Sequence, residues 1–185
     1  MSANLQHNAL LFLVCLLFSS CVKDVDFEEA EEITITPIIE ANLVFFDIEA
    51  TRFYDVETDT PILSVSDVTE LPFLDDTGTQ ENLLEAEFTF LFANSIEREF
   101  VVDFEFLDDD GVIQYNTQTT VSQGFSGDVR ETEFIHSVVV PETLNLTMAN
   151  RLRIVVTIPS SDATLQGNLV MQSKATFYFE IKDRD

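Results

Sequence analysis

The chain has no tryptophan, two cysteines, five glycines and two histidines among its 185 residues. So few glycines leave little room for a glycine-rich phosphate-binding loop. Because His7 lies near the N-terminus, histidine-based catalysis in the rest of the chain would depend on His136 alone. The three tyrosines, Tyr54, Tyr115 and Tyr178, supply few of the aromatic platforms that sugar-binding surfaces usually present.

Basic residues are also scarce, since nine Lys and Arg accompany 34 Asp and Glu, for a formal net charge of −25. Residues 1–20 contain none of these four types, so the whole charge belongs to the remaining 165 residues. Nucleic acid and anionic lipid head groups repel such a chain, which argues against nucleic acid as a partner. The hydrophobic fraction of 45% and the 17 phenylalanines nevertheless predict a folded core and not a disordered chain.

An apolar run from Ala9 to Phe18 leads into Ser19, Ser20 and Cys21. A membrane-spanning helix needs about 20 apolar residues, whereas the apolar part of a signal peptide needs about 7–15. The length of the run and the small residues after it therefore favour a cleaved signal peptide over an uncleaved anchor.

This segment resembles a bacterial lipoprotein signal peptide with its lipobox. The resemblance implies that residues 1–20 are removed and that Cys21 carries acyl chains such as palmitate. Cysteine usage agrees, because Cys15 would leave with the signal peptide and the mature chain would keep no pair for a disulfide. Several acyl chains anchor a protein far more firmly than one does. A plain secretory peptide is the alternative.

Acidic residues follow the cysteine at once, and we interpret residues 21–32 as a lipidated tether. In lipoproteins of the Bacteroidota, an acidic cluster at this position directs export to the cell surface, and this segment resembles that signal. The residues that carry the resemblance are Lys23, Asp24, Asp26, Glu28 and Glu29. The implied location is the outer membrane, facing the exterior, or otherwise its periplasmic face. A charged spacer, extended by self-repulsion, is the simpler interpretation.

Residues 33–185 show the two-residue alternation of half-buried strands. Its clearest cases are 86–92, 100–106, 152–158 and 175–181, and further strands are predicted at 33–38, 41–49, 62–66, 112–121 and 132–140. Helical periodicity is limited to one possible turn at 142–150, and 67–81 is predicted to be a long loop. Many short strands without a βαβ rhythm predict an all-β fold, a single antiparallel β-sandwich of immunoglobulin-like or jelly-roll-like type.

Three neighbouring strands are predicted to form a meander. Its first hairpin would pair Phe88 with Phe104, and its second, through the turn Asp108–Gly111, would pair Glu105 with Gln114. The register then places Glu87 opposite Glu105, with Asp103 beside them on the outer face. This acidic face is a candidate site for a basic partner or a cation, and the simpler interpretation is that its charges only keep the domain soluble.

No catalytic, cofactor or metal site is predicted. Nothing near His136 marks Ser137 as a nucleophile, and one histidine without a free thiol makes zinc a poor fit. Calcium is the most plausible ion, through the Asp108–Gly111 turn and the Asp75–Asp76 pair, although neither matches an EF-hand loop.

These observations together predict a non-enzymatic binding or accessory subunit of an envelope protein complex, lipid-anchored in the outer membrane. The alternative is a carbohydrate-active or other hydrolytic surface lipoprotein whose carboxylates converge only in space.

Overall fold

A computed structural model describes residues 34–125 and 127–182. The predictions for the signal peptide, for Cys21 and for the acidic tether therefore lie outside the described residues. Residues 35–181 group into one unit by their mutual contacts.

Twelve strands and three short helical segments make up this part of the chain, which confirms the predicted all-β class. The strands are β1 (Thr34–Ile35), β2 (Ile38–Glu49), β3 (Tyr54–Asp55), β4 (Thr60–Pro61), β5 (Ser64–Glu70), β6 (Leu83–Asn94), β7 (Phe100–Leu107), β8 (Ile113–Val121), β9 (Arg130–Val139), β10 (Arg151–Thr157), β11 (Asn168–Phe179) and β12 (Ile181–Lys182). The helical segments are a 3-10 turn (Ala50–Phe53), α1 (Thr77–Asn82) and α2 (Thr143–Leu146).

The eight long strands form two four-stranded antiparallel sheets. The first sheet has the order β2-β11-β6-β9 and the second sheet has the order β5-β10-β7-β8. Among the consecutive long strands, only β7 and β8 are neighbours in one sheet, and every other connection crosses between the sheets. This strand order is that of a jelly roll, the second of the two sandwich types that the sequence leaves open.

Phenylalanine side chains from β6 and β7 fill the space between the sheets. The rings of Phe90 and Phe104 are stacked with their centroids 3.9 Å apart, and those of Phe88 and Phe106 are 5.2 Å apart. All four side chains are at most 1% exposed. Burying one such side chain stabilises the fold by about 1.5–3 kcal/mol, so these residues form a large part of the core.

The predicted hairpin between β6 and β7 is wrong. Strand β6 pairs with β9 and β11, whereas β7 pairs with β8 and β10, so Phe88 and Phe104 lie in opposite sheets and are not paired. Across the core, Phe88 contacts Phe106 and Phe90 contacts Phe104. The reason is that residues 95–99 carry the chain from one sheet to the other. Alternation correctly marks the buried side of each strand, but it cannot tell a hairpin from two strands that face each other.

The hairpin of β7 and β8 is confirmed, but its register differs by two residues from the prediction. Phe106 lies opposite Tyr115, and Glu105 lies opposite Asn116 instead of Gln114. The register is irregular next to the turn, where Asp108 exchanges two bonds with Val112: its N–H donates to the Val112 carbonyl at 3.1 Å, and its Oδ1 accepts from the Val112 N–H at 2.8 Å. An even shift keeps each side chain on its predicted face.

The predicted long loop at 67–81 is also partly wrong. Strand β5 continues to Glu70, the side chains of Leu71 and Leu74 are buried, and α1 begins soon afterwards. The Asp76 carboxylate caps α1 by accepting hydrogen bonds from the N–H groups of Gly78 and Thr79.

Asn94 fixes the crossing between β6 and β7. Its side chain is fully buried, and its Nδ2 donates to the carbonyls of Arg98 and Ser122, both at 2.9 Å. Its Oδ1 accepts from the N–H of Ile96 at 2.8 Å. The backbone here is so closely packed that a Cβ at Gly124 would lie 2.3 Å from the Asn94 carbonyl oxygen. One side chain thus satisfies three backbone groups where the chain changes sheet.

Replacing Asn94 with Ala should lower the free energy of unfolding by about 3 kcal/mol, because three buried backbone groups lose their partner. The measurement is urea denaturation followed by circular dichroism. Asn42→Ala, at an exposed position of β2, is the matched control and should change stability by no more than about 0.5 kcal/mol. Equal effects of the two substitutions would contradict this role for Asn94.

Candidate functional site

The predicted acidic face of Glu87, Asp103 and Glu105 does not exist as one surface. Glu87 lies in the first sheet, opposite Ser137 and Thr176. Asp103 and Glu105 lie in the second sheet, where Glu105 forms an ion pair with Arg153. The prediction depended on the hairpin of β6 and β7, and it is wrong because those strands belong to opposite sheets.

Glu87 nevertheless belongs to a strongly acidic surface, the outer face of the first sheet. Alternation along its four strands places seven carboxylates and one lysine, Lys174, on this face within the described residues. The carboxylates are those of Glu40, Asp47, Glu49, Glu85, Glu87, Glu131 and Glu133. Each lies opposite neutral residues in the described register, so the sheet avoids direct pairs of like charge, which cost about 0.2–1 kcal/mol each. We call this surface the acidic sheet face.

Exposed apolar side chains lie among these charges. Phe45 is 64% exposed, Leu91 is 48% exposed and Ile135 is 54% exposed. Phe45 and Leu91 flank Gln172 in one row of the register, and Ile135 lies in the next row opposite Thr89. Single exposed apolar residues are ordinary, but a group of them in neighbouring rows is a feature of interaction surfaces.

The outer face of the second sheet differs in charge. Within the described residues, its carboxylates Glu70, Asp103 and Glu105 accompany two arginines, Arg151 and Arg153. Asp103 also accepts a hydrogen bond from Gln118 at 2.6 Å. The negative charge of the sandwich is therefore concentrated on one of its two broad faces.

His136 joins the two sheets at one edge of the sandwich. Its Nε2 lies 2.6 Å from the Tyr115 hydroxyl oxygen, and the two residues belong to the edge strands β9 and β8. Burial lowers the pKa of His136 from its ordinary value of 6.5. Burial, and then the charge of Glu142, raise the pKa of Tyr115, so both rings are neutral at physiological pH. Ser137 lies on the opposite face of β9, which separates its side chain from that of His136.

Four of the five acids considered for calcium have protein partners, and Asp76, which caps α1, is one of them. The Asp108 carboxylate accepts from the N–H groups of Asp110 and Val112 and from the Gln114 amide. These bonds lower the pKa of Asp108, the Val112 bond contributing most. The Nδ2 of Asn150 donates to Asp75 at 3.1 Å and to Asp109 at 2.7 Å. No three His, Cys, Asp or Glu side chains are grouped for a metal ion anywhere in the described ranges.

A cleft of about 550 Å³ opens at the other edge of the sandwich, between β2 and β5. Its apolar lining comes from three strands and consists of Val44, Phe46, Ile48, Val65, Ile154 and Val156. Its polar lining consists of Asp47, Glu49, Arg52, Ser66, Asp67 and Thr69. None of the sites predicted from the sequence includes this cleft. Its one local signal is the alternation of Val65, Asp67 and Thr69, which continues β5 into the segment predicted to be a loop.

No helix within residues 34–125 and 127–182 has the length and hydrophobicity to cross a membrane.

No family model and no curated protein sequence matches the chain. Among solved structures, a presumed secreted protein from Parabacteroides distasonis aligns with a TM-score of 0.45 and 12% identity, over 62% of this chain and 38% of that chain. The VP2 subviral particle of infectious bursal disease virus aligns with a TM-score of 0.44 and 8% identity, over 77% and 32%. This chain thus spans well under two thirds of either neighbour. Similarity at this level assigns neither a family nor a function.

The burial of His136 predicts a pH dependence of stability. Because folding lowers the pKa of His136, its contribution is present above about pH 6.5 and is lost as the pH falls through the lowered folded value. We expect the free energy of unfolding of the wild type to fall more steeply, between about pH 7 and pH 5, than that of His136→Gln, which cannot titrate. Urea denaturation at several pH values measures both slopes.

Tyr115→Phe is the matched control, because it removes the hydrogen bond but keeps the buried histidine. It should lower stability at every pH and retain the wild-type slope. Parallel curves for the wild type and His136→Gln would contradict the prediction.

Proposed function

We propose that this chain is a non-enzymatic accessory subunit, anchored in the outer membrane through acylated Cys21, that docks through its acidic sheet face on a basic envelope protein. The observation that carries the proposal is the unequal charge of the two sheets. Seven carboxylates accompany one lysine on the outer face of the first sheet, whereas three accompany two arginines on that of the second, within the described residues. Charges that served only solubility would be expected on both outer faces and not mainly on one.

The chemistry of the face defines its partner. A surface with Lys or Arg opposite Glu85, Glu87 and Glu133 would neutralise charges that have no ion pair within the described residues. Apolar groups on the partner would then cover Phe45, Leu91 and Ile135. Complementary charge raises the association rate and the specificity, and the apolar contacts supply the affinity.

The anchor is supported by the sequence around Cys21 and by the charge of the domain. An acidic domain is repelled by anionic lipid, so the tether would hold it away from the membrane and leave the sheet face accessible. The cell-surface location follows from the resemblance of the residues after Cys21 to an export signal.

A hydrolytic function is the second candidate, because Asp47, Glu49 and Asp67 line one cleft. Glycoside hydrolysis needs two carboxylates on either side of the scissile bond, and one of them is usually kept protonated by burial. All three of these residues are exposed to solvent, which makes this the weaker proposal.

Replacing Cys21 with Ser should leave the precursor uncut and release the protein from native membranes, since the acyl acceptor is lost. Mass spectrometry of the N-terminal peptide and the distribution between membrane and soluble fractions test both effects. Ser20→Ala, which keeps a small residue before the cysteine, is the control and should be processed normally. A native N-terminus upstream of Cys21 would overturn the proposed anchor.

Replacing Glu85, Glu87 and Glu133 with Gln should reduce partner capture at least about fivefold at low salt, because the charges that guide docking are lost. The measurement is cross-linking in native membranes, with quantitative mass spectrometry of the proteins captured by each variant. Capture by the wild type should itself weaken as salt is raised.

The matched control neutralises three carboxylates outside the acidic sheet face and should capture the partner as well as the wild type does. Its substitutions are Glu70→Gln, Glu99→Gln and Asp103→Asn. Leu91→Ser tests the apolar contribution and should shorten the lifetime of the complex. Equal losses of partner capture in the two triple variants would show that the acidic sheet face is only a solvated surface.

A further inference from the structure

The cleft between β2 and β5 is an opening into the inner space of the sandwich. At the opposite edge, Phe134, His136 and Tyr115 fill the gap between the sheets with aromatic rings. At this edge the inward positions of β5 are Val65, Asp67 and Thr69, which are much smaller. The apolar side chains of Val44, Phe46 and Ile48 are consequently only partly buried. A volume of about 550 Å³ is within the range of about 300–1,000 Å³ that is usual for small-ligand sites.

A backbone bulge contributes to the shape of the cleft. The pairing of β2 with β11 shifts by one residue, so that Leu43 and Val44 together face Ser173. The Ser173 hydroxyl accepts from the Val44 N–H at 3.0 Å and donates to the Val44 carbonyl at 2.9 Å. After the bulge, Phe46 and Ile48 point inward and Phe45 points outward. The bulge therefore directs two large apolar side chains towards the cleft.

Asp67 is the unusual residue of this site, because its carboxylate is on the inner side of β5. Its register partner on β10 is Ile154, an inward side chain that is 5% exposed. Asp67 Oδ1 accepts from the Val68 N–H at 2.9 Å, and no ion pair of Asp67 exists within the described residues. A charge beside apolar surface is stable when water or a cation reaches it, and the open cleft permits both.

The other charges of the cleft are mainly negative. Asp47 accepts from the Asn168 amide at 2.8 Å and Glu49 accepts from the Thr51 hydroxyl at 3.3 Å, while Arg52 is the one cation of the lining. Three carboxylates against one guanidinium repel fatty acids, phosphates and acidic sugars.

Asp67 also protects an exposed strand edge. Because its carboxylate occupies the outward-facing N–H of Val68, it hinders another strand from pairing with β5. This makes an added peptide strand a poor occupant, and it leaves a small molecule as the ligand that fits.

We propose that the β2–β5 cleft binds a small amphipathic cation, with its apolar body against Phe46, Val65 and Ile154 and its ammonium or guanidinium group at Asp67. The proposal is independent of docking through the acidic sheet face, since these three apolar residues and Asp67 point towards the inside of the sandwich.

The test uses the mature acylated protein in neutral maltoside micelles and three probes of similar size. These are phenylethylammonium, neutral 2-phenylethanol and anionic 3-phenylpropionate, each followed by saturation-transfer NMR against empty micelles. We expect binding of the ammonium probe, binding of the alcohol that is at least fivefold weaker, and no binding of the carboxylate.

Two variants locate the site. Asp67→Asn should weaken binding of the ammonium probe at least fivefold and leave binding of the alcohol unchanged. Asp103→Asn, on the outer face of the second sheet, is the control and should change the binding of neither probe. Val65→Ser should weaken binding of both the ammonium probe and the alcohol.

Three outcomes would overturn the proposal: equal binding of all three probes, equal effects of Asp67→Asn and Asp103→Asn, or hydrolysis of neutral oligosaccharides that is lost in Asp67→Asn. If Asp67→Asn causes the protein to self-associate and leaves the ammonium probe unaffected, edge protection is the whole role of this carboxylate.

Discussion

The stacking of Phe90 on Phe104 is the contact on which the architecture depends. Their ring centroids are 3.9 Å apart, and they meet across the core because the consecutive strands β6 and β7 lie in different sheets. Each strand then needs neighbours from elsewhere in the chain, and β6 obtains β9 and β11 while β7 obtains β8 and β10. The repeated crossing between sheets follows from this arrangement, and with it the jelly-roll order. Asn94 makes the crossing from β6 to β7 possible in the core, because it supplies partners for backbone groups that no strand satisfies.

The same arrangement leaves two open edges. Four edge strands result, β8 with β9 on one side and β2 with β5 on the other. Aromatic side chains and the bond between Tyr115 and His136 close the first edge. The second edge has smaller residues and an inward carboxylate, Asp67, and remains a cleft. The difference between the closed edge and the open cleft is thus a matter of side-chain volume at a few inward positions.

Much of the fold could be predicted from the sequence, because burial follows alternation. The strands β7 to β10 begin and end within about two residues of the predicted ranges, and the phenylalanines predicted for the core are buried. Pairing could not be predicted in the same way, since an apolar row on β6 is compatible with a neighbour beside it or with one across the core. The acidic face failed for that reason: Glu87 and Glu105 were assigned to one surface through a hairpin that does not form. The cleft is lined by three strands that are not consecutive in sequence, so the alternation of Val65, Asp67 and Thr69 alone does not indicate it.

Charge and alternation together explain why one strand can serve two surfaces. On β2, Phe45 points outward to the acidic sheet face, while Phe46 points inward to the cleft. Adjacent residues of one strand thus belong to separate sites, and the bulge at Val44 determines which residue faces which way. Asp47 is at the border, because it is on the outer face and also lines the cleft. A substitution there would change the electrostatic potential of both surfaces. Phe45, Leu91 and Ile135 can be varied without changing the cleft, and Val65 and Asp67 without changing the sheet face, so the two surfaces can be separated experimentally although they share a strand.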